Sequence, residues 1–322
     1  MDLSTYKKSF LDYLNKEISV KEPKNLYEPI VYILNLGGKR LRPILTLMAC
    51  ELFNGNQKDA LAASLAIEVF HNFTLVHDDI MDHADLRRGK ETVHKKWDLN
   101  TGVLSGDAMM LMTNKLMEHY DGNMFKELMV LFNKTALEVC EGQQYDIDFE
   151  TRTNVTIANY LQMITYKTAV LVACSLKMGA IIATTSKKDA ENIYNFGLNL
   201  GVAFQLQDDY LDSFGNAKTF GKKIGGDILE NKKTFLYLKV FGLASQSDKE
   251  KLNKLFLTTT NSEEKIKQVT ALYDKYKIPE LIKVEIKNYT KLAYESLDKT
   301  SLNKRNKSVF INLGDDLLHR NV

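Results

Sequence analysis

Proline is scarce in this 322-residue chain: four residues, Pro23, Pro29, Pro43 and Pro279, with none between the last two. So long a stretch without the main helix breaker, and with helical periodicity along it, argues for an all-α body. Cysteine is scarcer. Cys50, Cys140 and Cys174 are odd in number, far apart and set in apolar stretches. They fit no zinc spacing and no disulfide framework, and read as buried free thiols in a reducing compartment. Net charge is only +2, which supplies no global field for nucleic acid or an acidic membrane. No apolar run reads as a bilayer span, and Met1–Lys8 lacks the basic-then-apolar form of a signal peptide. The expectation is a cytoplasmic protein without stable membrane insertion. Strand alternation, tandem repeats and low-complexity linkers are also missing. What remains, 44% hydrophobic and 26% charged, is ordinary globular composition with material for a large core. The reading is a single helical domain over residues 1–322.

The apolar residues recur at threes and fours. Leu61, Leu65, Val69, Phe73 and Val76 form one stripe; Leu161, Ile164, Thr168, Leu171, Val172, Ser175 and Met178 form another. Phe196, Leu200, Phe204, Gln205 and Asp208 share a third, which turns polar toward its C-terminal end. Helices apolar over so much of their circumference belong in the middle of a bundle. Turn chemistry marks breaks at Asn54-Gly55-Asn56, Arg88-Gly89-Lys90, Asp121-Gly122-Asn123, Ser186–Asp189 and Ser213–Asn216. Thr258–Glu264 reads as a surface loop ending in a helix cap.

Two aspartate clusters of the same form stand far apart: Asp78-Asp79-Ile80-Met81-Asp82 and Asp208-Asp209-Tyr210-Leu211-Asp212. In each, the first and last carboxylates are four residues apart and leave the same helical face. Like charges at that spacing repel unless a cation lies between them. The repeated liability makes sense if the two helices face one cavity that holds divalent metal and a polyanion. All-oxygen donors favour a hard cation, and magnesium completes its octahedron with water and substrate phosphate.

Cationic groups accompany both clusters. Arg87-Arg88 follow the first and, being adjacent, point to different sides, so they can grip two anions. Gly37-Gly38-Lys39-Arg40-Leu41-Arg42-Pro43 combines paired glycines, cations and a helix start, the layout of an anion site. Gly221-Lys222-Lys223-Ile224-Gly225-Gly226-Asp227, with Lys232 beyond, follows the second cluster. Lys167-Thr168 sits in an apolar helix, where a lysine needs a partner. Taken singly, each has a bland reading as a solvated helix end or an internal ion pair. Together they are an inventory for joining two diphosphates.

At these residues the chain resembles the trans-isoprenyl diphosphate synthases. The resemblance rests on Gly37–Pro43, His71–Gly89, Lys167-Thr168, Gln205–Asp212 and Gly221–Asp227, in that order. It implies a helical bundle of the isoprenoid synthase type around a central catalytic cavity, and a homodimer. It further implies that Asp78, Asp82 and Asp208 ligate three Mg²⁺ on an allylic diphosphate, with Asp79, Asp209 and Asp212 acting through water or as supports. Arg87, Lys167, Lys232 and one of Lys222 and Lys223 would contact the allylic diphosphate. Lys39, Arg42, His71 and Arg88 would hold isopentenyl diphosphate. Lys167, Thr168 and Gln205 would line the reacting centre. The basic C-terminus of some members has no counterpart in His319–Val322.

Product length then has a physical reading. Phe73 lies five residues before Asp78, Phe70 eight before it, and the small Thr74 beside them. A bulky Phe73 would floor the elongation tunnel. In the family an aromatic there goes with short products, so the expectation is the C15 product farnesyl diphosphate, with the C20 geranylgeranyl diphosphate as the alternative. A metal phosphohydrolase would need more histidines than the six present, and a non-catalytic helical subunit would be expected to lose the aspartates or the cations.

Overall fold

Almost all regular structure is helix, as the periodicity predicts. The computed structural model describes residues 3–216, 224–257 and 262–318. The chain divides into two compact units. The first comprises Met1–Asn133 and Cys174–Glu191, the second Lys134–Ala173 and Asn192–Val322.

The first unit contains α1 (Leu3–Glu17), α2 (Lys24–Asn35), α3 (Leu41–Leu52), α4 (Leu61–Met81), α5 (Val93–Lys96), α6 (Leu99–Met117) and the start of α7 (Gly122–Thr151). Helix α4 is its centre. Every residue from Ala62 to Phe70 is buried, because all but the ion-paired Glu68 are small or apolar around the whole circumference. Each fully buried Leu, Ile, Val or Phe there contributes about 1.5–3 kcal/mol. Helix α6 lies close to α4 because it offers glycine: a Cβ on Gly106 would stand 2.2 Å from His77 Nε2. After α4, the two-residue strands β1 (Leu86–Arg87) and β2 (Lys90–Glu91) pair antiparallel, Leu86 opposite Glu91 and Arg87 opposite Lys90. The turn at Arg88-Gly89 is where its sequence predicts one; the strands are too short to alternate. Both loop residues have positive φ, 54° and 74°, the requirement of the tight hairpin that matches strand twist.

The second unit holds the remainder of α7, then α8 (Ile157–Ile164), a π-helical turn at Thr165–Ala169, the start of α9 (Val170–Ile182) and most of α10 (Lys187–Phe214). The chain continues through α11 (Gly226–Leu229), α12 (Phe235–Leu243), α13 (Gln246–Leu257), α14 (Glu263–Lys275), α15 (Ile278–Asp298) and α16 (Lys304–Leu318). Caps set several ends. Thr156 and Asn159 form a reciprocal capping box at α8. Ser262 accepts from the Lys265 N–H at the start of α14. Lys233 Nζ donates to the carbonyls of Phe149 (2.6 Å), Glu150 (2.9 Å) and Arg152 (2.9 Å), satisfying the orphan acceptors that end α7.

Two expectations need correction. Cys50 and Cys174 are buried, but Cys140 is exposed, because its position on α7 faces outward although its neighbours in sequence are apolar. Two helical stretches, Gln57–Met81 and Ile157–Ile182, are long and apolar enough to cross a bilayer, where none was expected. Two thirds of each is buried within the protein, and core burial accounts for the same composition.

Candidate active site

In the first unit, α4 carries the acidic end and the base of a cationic cluster. Asp78 is half-buried, Asp79 buried and Asp82 exposed at the helix end. Asp79 is held by Arg87 in a fork: Nε reaches Oδ1 at 2.9 Å and Oδ2 at 2.8 Å, and Nη2 reaches Oδ1 at 2.7 Å. Arg87 is thereby fixed by Nε and Nη2, with Nη1 on its other edge.

Two turns earlier on α4, His71 sits among four guanidiniums. Arg42 Nη1 lies 3.3 Å from His71 Nε2. A guanidinium only donates, so Nε2 accepts and the ring proton belongs on Nδ1. Burial and the charges of Arg42, Arg88, Arg87 and Arg40 hold the imidazole well below its ordinary pKa, hence neutral at pH 7. Arg42 Nε is buried with no hydrogen-bond partner. Burial pulls Arg42 below the usual arginine range, opposed by Glu68. Arg88 bonds the Gly37 carbonyl and lies flat against Gly38, where a Cβ would stand 2.9 Å from the guanidinium carbon. Lys39 is exposed in the same turn. Among the described residues neither Arg42 nor Arg88 has a carboxylate partner, whereas Arg87 has Asp79 and Arg40 has Glu68. The cluster therefore carries cationic charge in excess of its carboxylates, as an anion site requires.

The aromatic side of α4 lies between these groups. Phe73 is half-buried, with ring centroids 5.6 Å from Phe70 and 4.8 Å from His77. Phe70 is fully buried and meets Phe132 edge-on at 5.1 Å. Thr74 is turned back, its hydroxyl donating to the His71 carbonyl at 2.9 Å.

In the second unit, Lys167 and Thr168 occupy the π turn. Two glycines make room for it: a Cβ on Gly142 of α7 would stand 2.2 Å from the Lys167 backbone N, and one on Gly201 of α10 would stand 2.7 Å from Ala169 Cα. A π turn displaces carbonyls from the regular ladder and commonly marks a functional site. Lys167 pairs with Asp146 of α7, both half-buried. The Thr168 hydroxyl donates to Gln205 Oε1 at 3.4 Å, and Gln205 Nε2 donates to Asp209 Oδ1 at 3.1 Å. The Tyr160 hydroxyl donates to Asp209 Oδ2. Burial, and then the neighbouring Asp227, raise the Asp209 carboxyl well above the usual carboxylate range. Asp212 Oδ2 accepts from the Asp227 N–H at 3.1 Å. Lys232 pairs with Glu230 at 2.7 Å and approaches Asp227 at 4.0 Å. Burial opposes its charge, but Glu230, Asp227 and Asp146 outweigh that and raise its pKa. Lys222 and Lys223 lie outside the described residues.

Sequence reasoning missed four of these partners. Glu68 is a lone charge in the apolar run Leu61–Phe70 and could have been flagged on that ground. Asp227 ends the stretch Gly221–Asp227, where the glycines and lysines carry the anion signal and mask the carboxylate. Tyr160 and Asp146 carry no local signal; only the packing of α7, α8 and α10 brings them in.

Among the described residues no three His, Cys, Asp or Glu side chains form a ready-made metal cage. The donor chemistry nevertheless fits magnesium, which is usually held by one or two carboxylates and completed by substrate phosphate. Asp79 spends its oxygens on Arg87, Asp209 on Tyr160 and Gln205, and Asp212 on the Asp227 N–H.

The polyprenyl synthetase family model matches residues 23–273. The chain belongs to the polyprenyl synthetase family. It is 36% identical over 303 residues to a geranylgeranyl diphosphate synthase of Saccharolobus solfataricus, covering 92% of this chain and 91% of that one. A crystal structure of a geranylgeranyl pyrophosphate synthase superposes with a TM-score of 0.95 at 48% identity, covering all of both chains. A polyprenyl synthase from Caulobacter crescentus, solved with calcium and isoprenyl diphosphate, superposes with a TM-score of 0.87 at 25% identity, over 99% of this chain and 96% of that one. The polyprenyl synthetase fold is all-α, and the chain is a short-chain prenyltransferase.

Proposed function

We propose that this prenyltransferase condenses isopentenyl diphosphate with allylic diphosphates to give geranylgeranyl diphosphate, the C20 product. The expectation of C15 rested on Phe73. The relatives favour the longer alternative: several carry the name geranylgeranyl diphosphate or pyrophosphate synthase, and others the still longer geranylfarnesyl diphosphate synthase. The geometry is compatible with it: Phe73 is only half-buried, whereas Phe70 beneath it is fully buried against Phe132. A floor at Phe70 leaves more depth than a floor at Phe73.

In this reading Arg87, Lys167 and Lys232 bind the allylic diphosphate, with Lys222 or Lys223. Lys39, Arg42, His71 and Arg88 bind isopentenyl diphosphate. Asp78, Asp82 and Asp208 hold magnesium, three ions with substrate bound, supported by Asp79, Asp209 and Asp212; when bound, the metal neutralises charge on the departing diphosphate. The cations stabilise that group as the allylic C–O bond breaks. Thr168, Gln205 and the displaced carbonyls of the π turn offer oxygen to the carbocation. The isopentenyl double bond attacks it, a new C–C bond forms, and the proton lost from the adduct passes to the released diphosphate. Holding both substrates together supplies much of the acceleration. The working form is a cytoplasmic homodimer.

The observation that carries this reading is the contact of Arg42 Nη1 with His71 Nε2 at 3.3 Å, made on the helix whose last turn carries Asp78 and whose C-cap is Asp82. The test is condensation of labelled isopentenyl diphosphate with dimethylallyl, geranyl and farnesyl diphosphates, with and without magnesium. The C20 product should dominate, and only with metal. Accumulation of C15 would restore the farnesyl reading, and no prenyl product from any primer would refute the function.

A further inference from the structure

The anion-binding turn before α3 is an unstable piece of backbone by itself. Gly37, Gly38 and Arg40 all have positive φ, 84°, 121° and 53°. Glycine adopts this region readily, but Arg40 does not. Gly38 has no spare room, because the Arg88 guanidinium rests where its Cβ would be. Such a conformation persists only where its surroundings over-determine it.

Arg40 supplies that constraint. Its side chain is buried, 3% exposed, against a Glu68 side chain 4% exposed, and the two form an ion pair through Nη1 and Oε1. The other terminal nitrogen, Nη2, bonds the Leu34 carbonyl in the last turn of α2. Glu68 Oε1 also accepts from Asn72 Nδ2 at 3.2 Å, and that nitrogen donates in turn to the Glu68 carbonyl at 2.8 Å. One guanidinium thus ties the end of α2, the turn and α4 together, one turn before His71. Neither Arg40 nor Glu68 is among the residues assigned above to bind substrate; the guanidinium of Arg40 is instead committed to Glu68 and the Leu34 carbonyl. Glu68 is also the carboxylate whose field acts on both Arg42 and Arg88.

We infer that Arg40 and Glu68 are positioning residues for isopentenyl diphosphate. Their buried pair locks the Gly37–Arg40 turn so that Lys39, Arg42 and Arg88 converge on one diphosphate, without bearing on the allylic site. This inference rests on the proposed function and assigns a device to one of its two substrates. The pair is buried at a cost in desolvation, and apolar residues of similar volume usually replace such pairs without loss of stability. Stability and positioning can therefore be separated.

The deciding variant is Arg40→Met/Glu68→Met, which removes one charge of each sign and leaves the net charge unchanged. Direct titration with isopentenyl diphosphate in EDTA reads the cationic site alone. The expected result is a helical circular dichroism spectrum and melting point close to those of the parent, a Kd for isopentenyl diphosphate raised about tenfold or more, and a KM for the allylic primer within about twofold. Amide exchange over residues 37–41 should accelerate while that of α4 does not. An unchanged Kd overturns the inference, and so does an equal rise for both substrates, which is general damage. If the double methionine variant does not fold, Arg40→Gln/Glu68→Gln, also charge-neutral, is read by the same criteria. A parent that makes no prenyl product from any primer refutes the function; a parent that makes it, with an unmoved Kd in the variant, refutes the positioning role alone.

Discussion

Lys167 reaches from the π turn to Asp146 of α7, so the lysine expected to grip a diphosphate rests on a carboxylate. The partner holds the ammonium in a half-buried position, and a polyanion must compete with it. Lys167→Ala should raise the allylic KM by about tenfold or more, with a smaller effect on isopentenyl diphosphate. Initial rates with each substrate varied in turn measure this. Equal effects on both would remove Lys167 from the allylic side.

Asp78→Ala and Asp208→Ala should each lower kcat by about two orders of magnitude or more while the helical spectrum is preserved. Neither residue is in the deep core, so folding should tolerate the change. Near-parent turnover from either variant would discard the metal assignment.

Phe73→Ala and Phe70→Ala separate the two floors. If Phe70 closes the tunnel, its truncation lengthens the product beyond C20, whereas truncation of Phe73 changes the distribution only slightly. Reverse-phase chromatography of the dephosphorylated products reads the answer. Phe70 is fully buried, so its truncation should also cost about 3–5 kcal/mol of stability. The dominant change following Phe73 instead would move the floor up one turn.

The His71 pKa is depressed, so the folded state binds its proton less readily than the unfolded state does. Stability from this residue is complete above the unfolded value near 6.5 and falls as the pH drops below it. The slope is at most one proton, about 1.4 kcal/mol per pH unit. His71→Gln should flatten that part of the stability profile between pH 7 and pH 5. Parallel profiles for parent and variant would show that the folded ring takes up a proton as readily as the unfolded one.

Gly142→Ala would drive a methyl group into the Lys167 backbone, at 2.2 Å before relaxation. Overpacking of this kind costs about 1–3 kcal/mol, and here it also displaces the π turn. Turnover should fall more than the melting point suggests. A variant with full activity would show that the turn's geometry is not needed.

The sequence made some of these features legible and hid others. Helix content followed from the periodicity of Leu61–Val76 and its counterparts, and Arg88-Gly89-Lys90 was readable as a turn from its glycine. Arg87 and Arg88 point to different anchors, Asp79 and the Gly37 carbonyl, as adjacency suggested. The partners are another matter. Asp146 lies 21 residues from Lys167 and Tyr160 lies 49 from Asp209, and no local pattern encodes such pairings. Cys140 shows the same limit: an apolar neighbourhood in sequence did not reveal which way its helix position faces. Product length was the least legible feature, because in the proposed reading it turns on which of two aromatic rings on one helix, Phe73 or Phe70, acts as the floor.

The tight loop between β1 and β2 has a mechanical consequence. Its neighbouring guanidiniums are moored to different anchors, one to the helix that ends in the first acidic cluster and the other to the glycine corner before α3. A lever with both arms tethered and only two residues at its pivot has little slack. Tension on either mooring is transmitted through the backbone to the other within a single peptide unit.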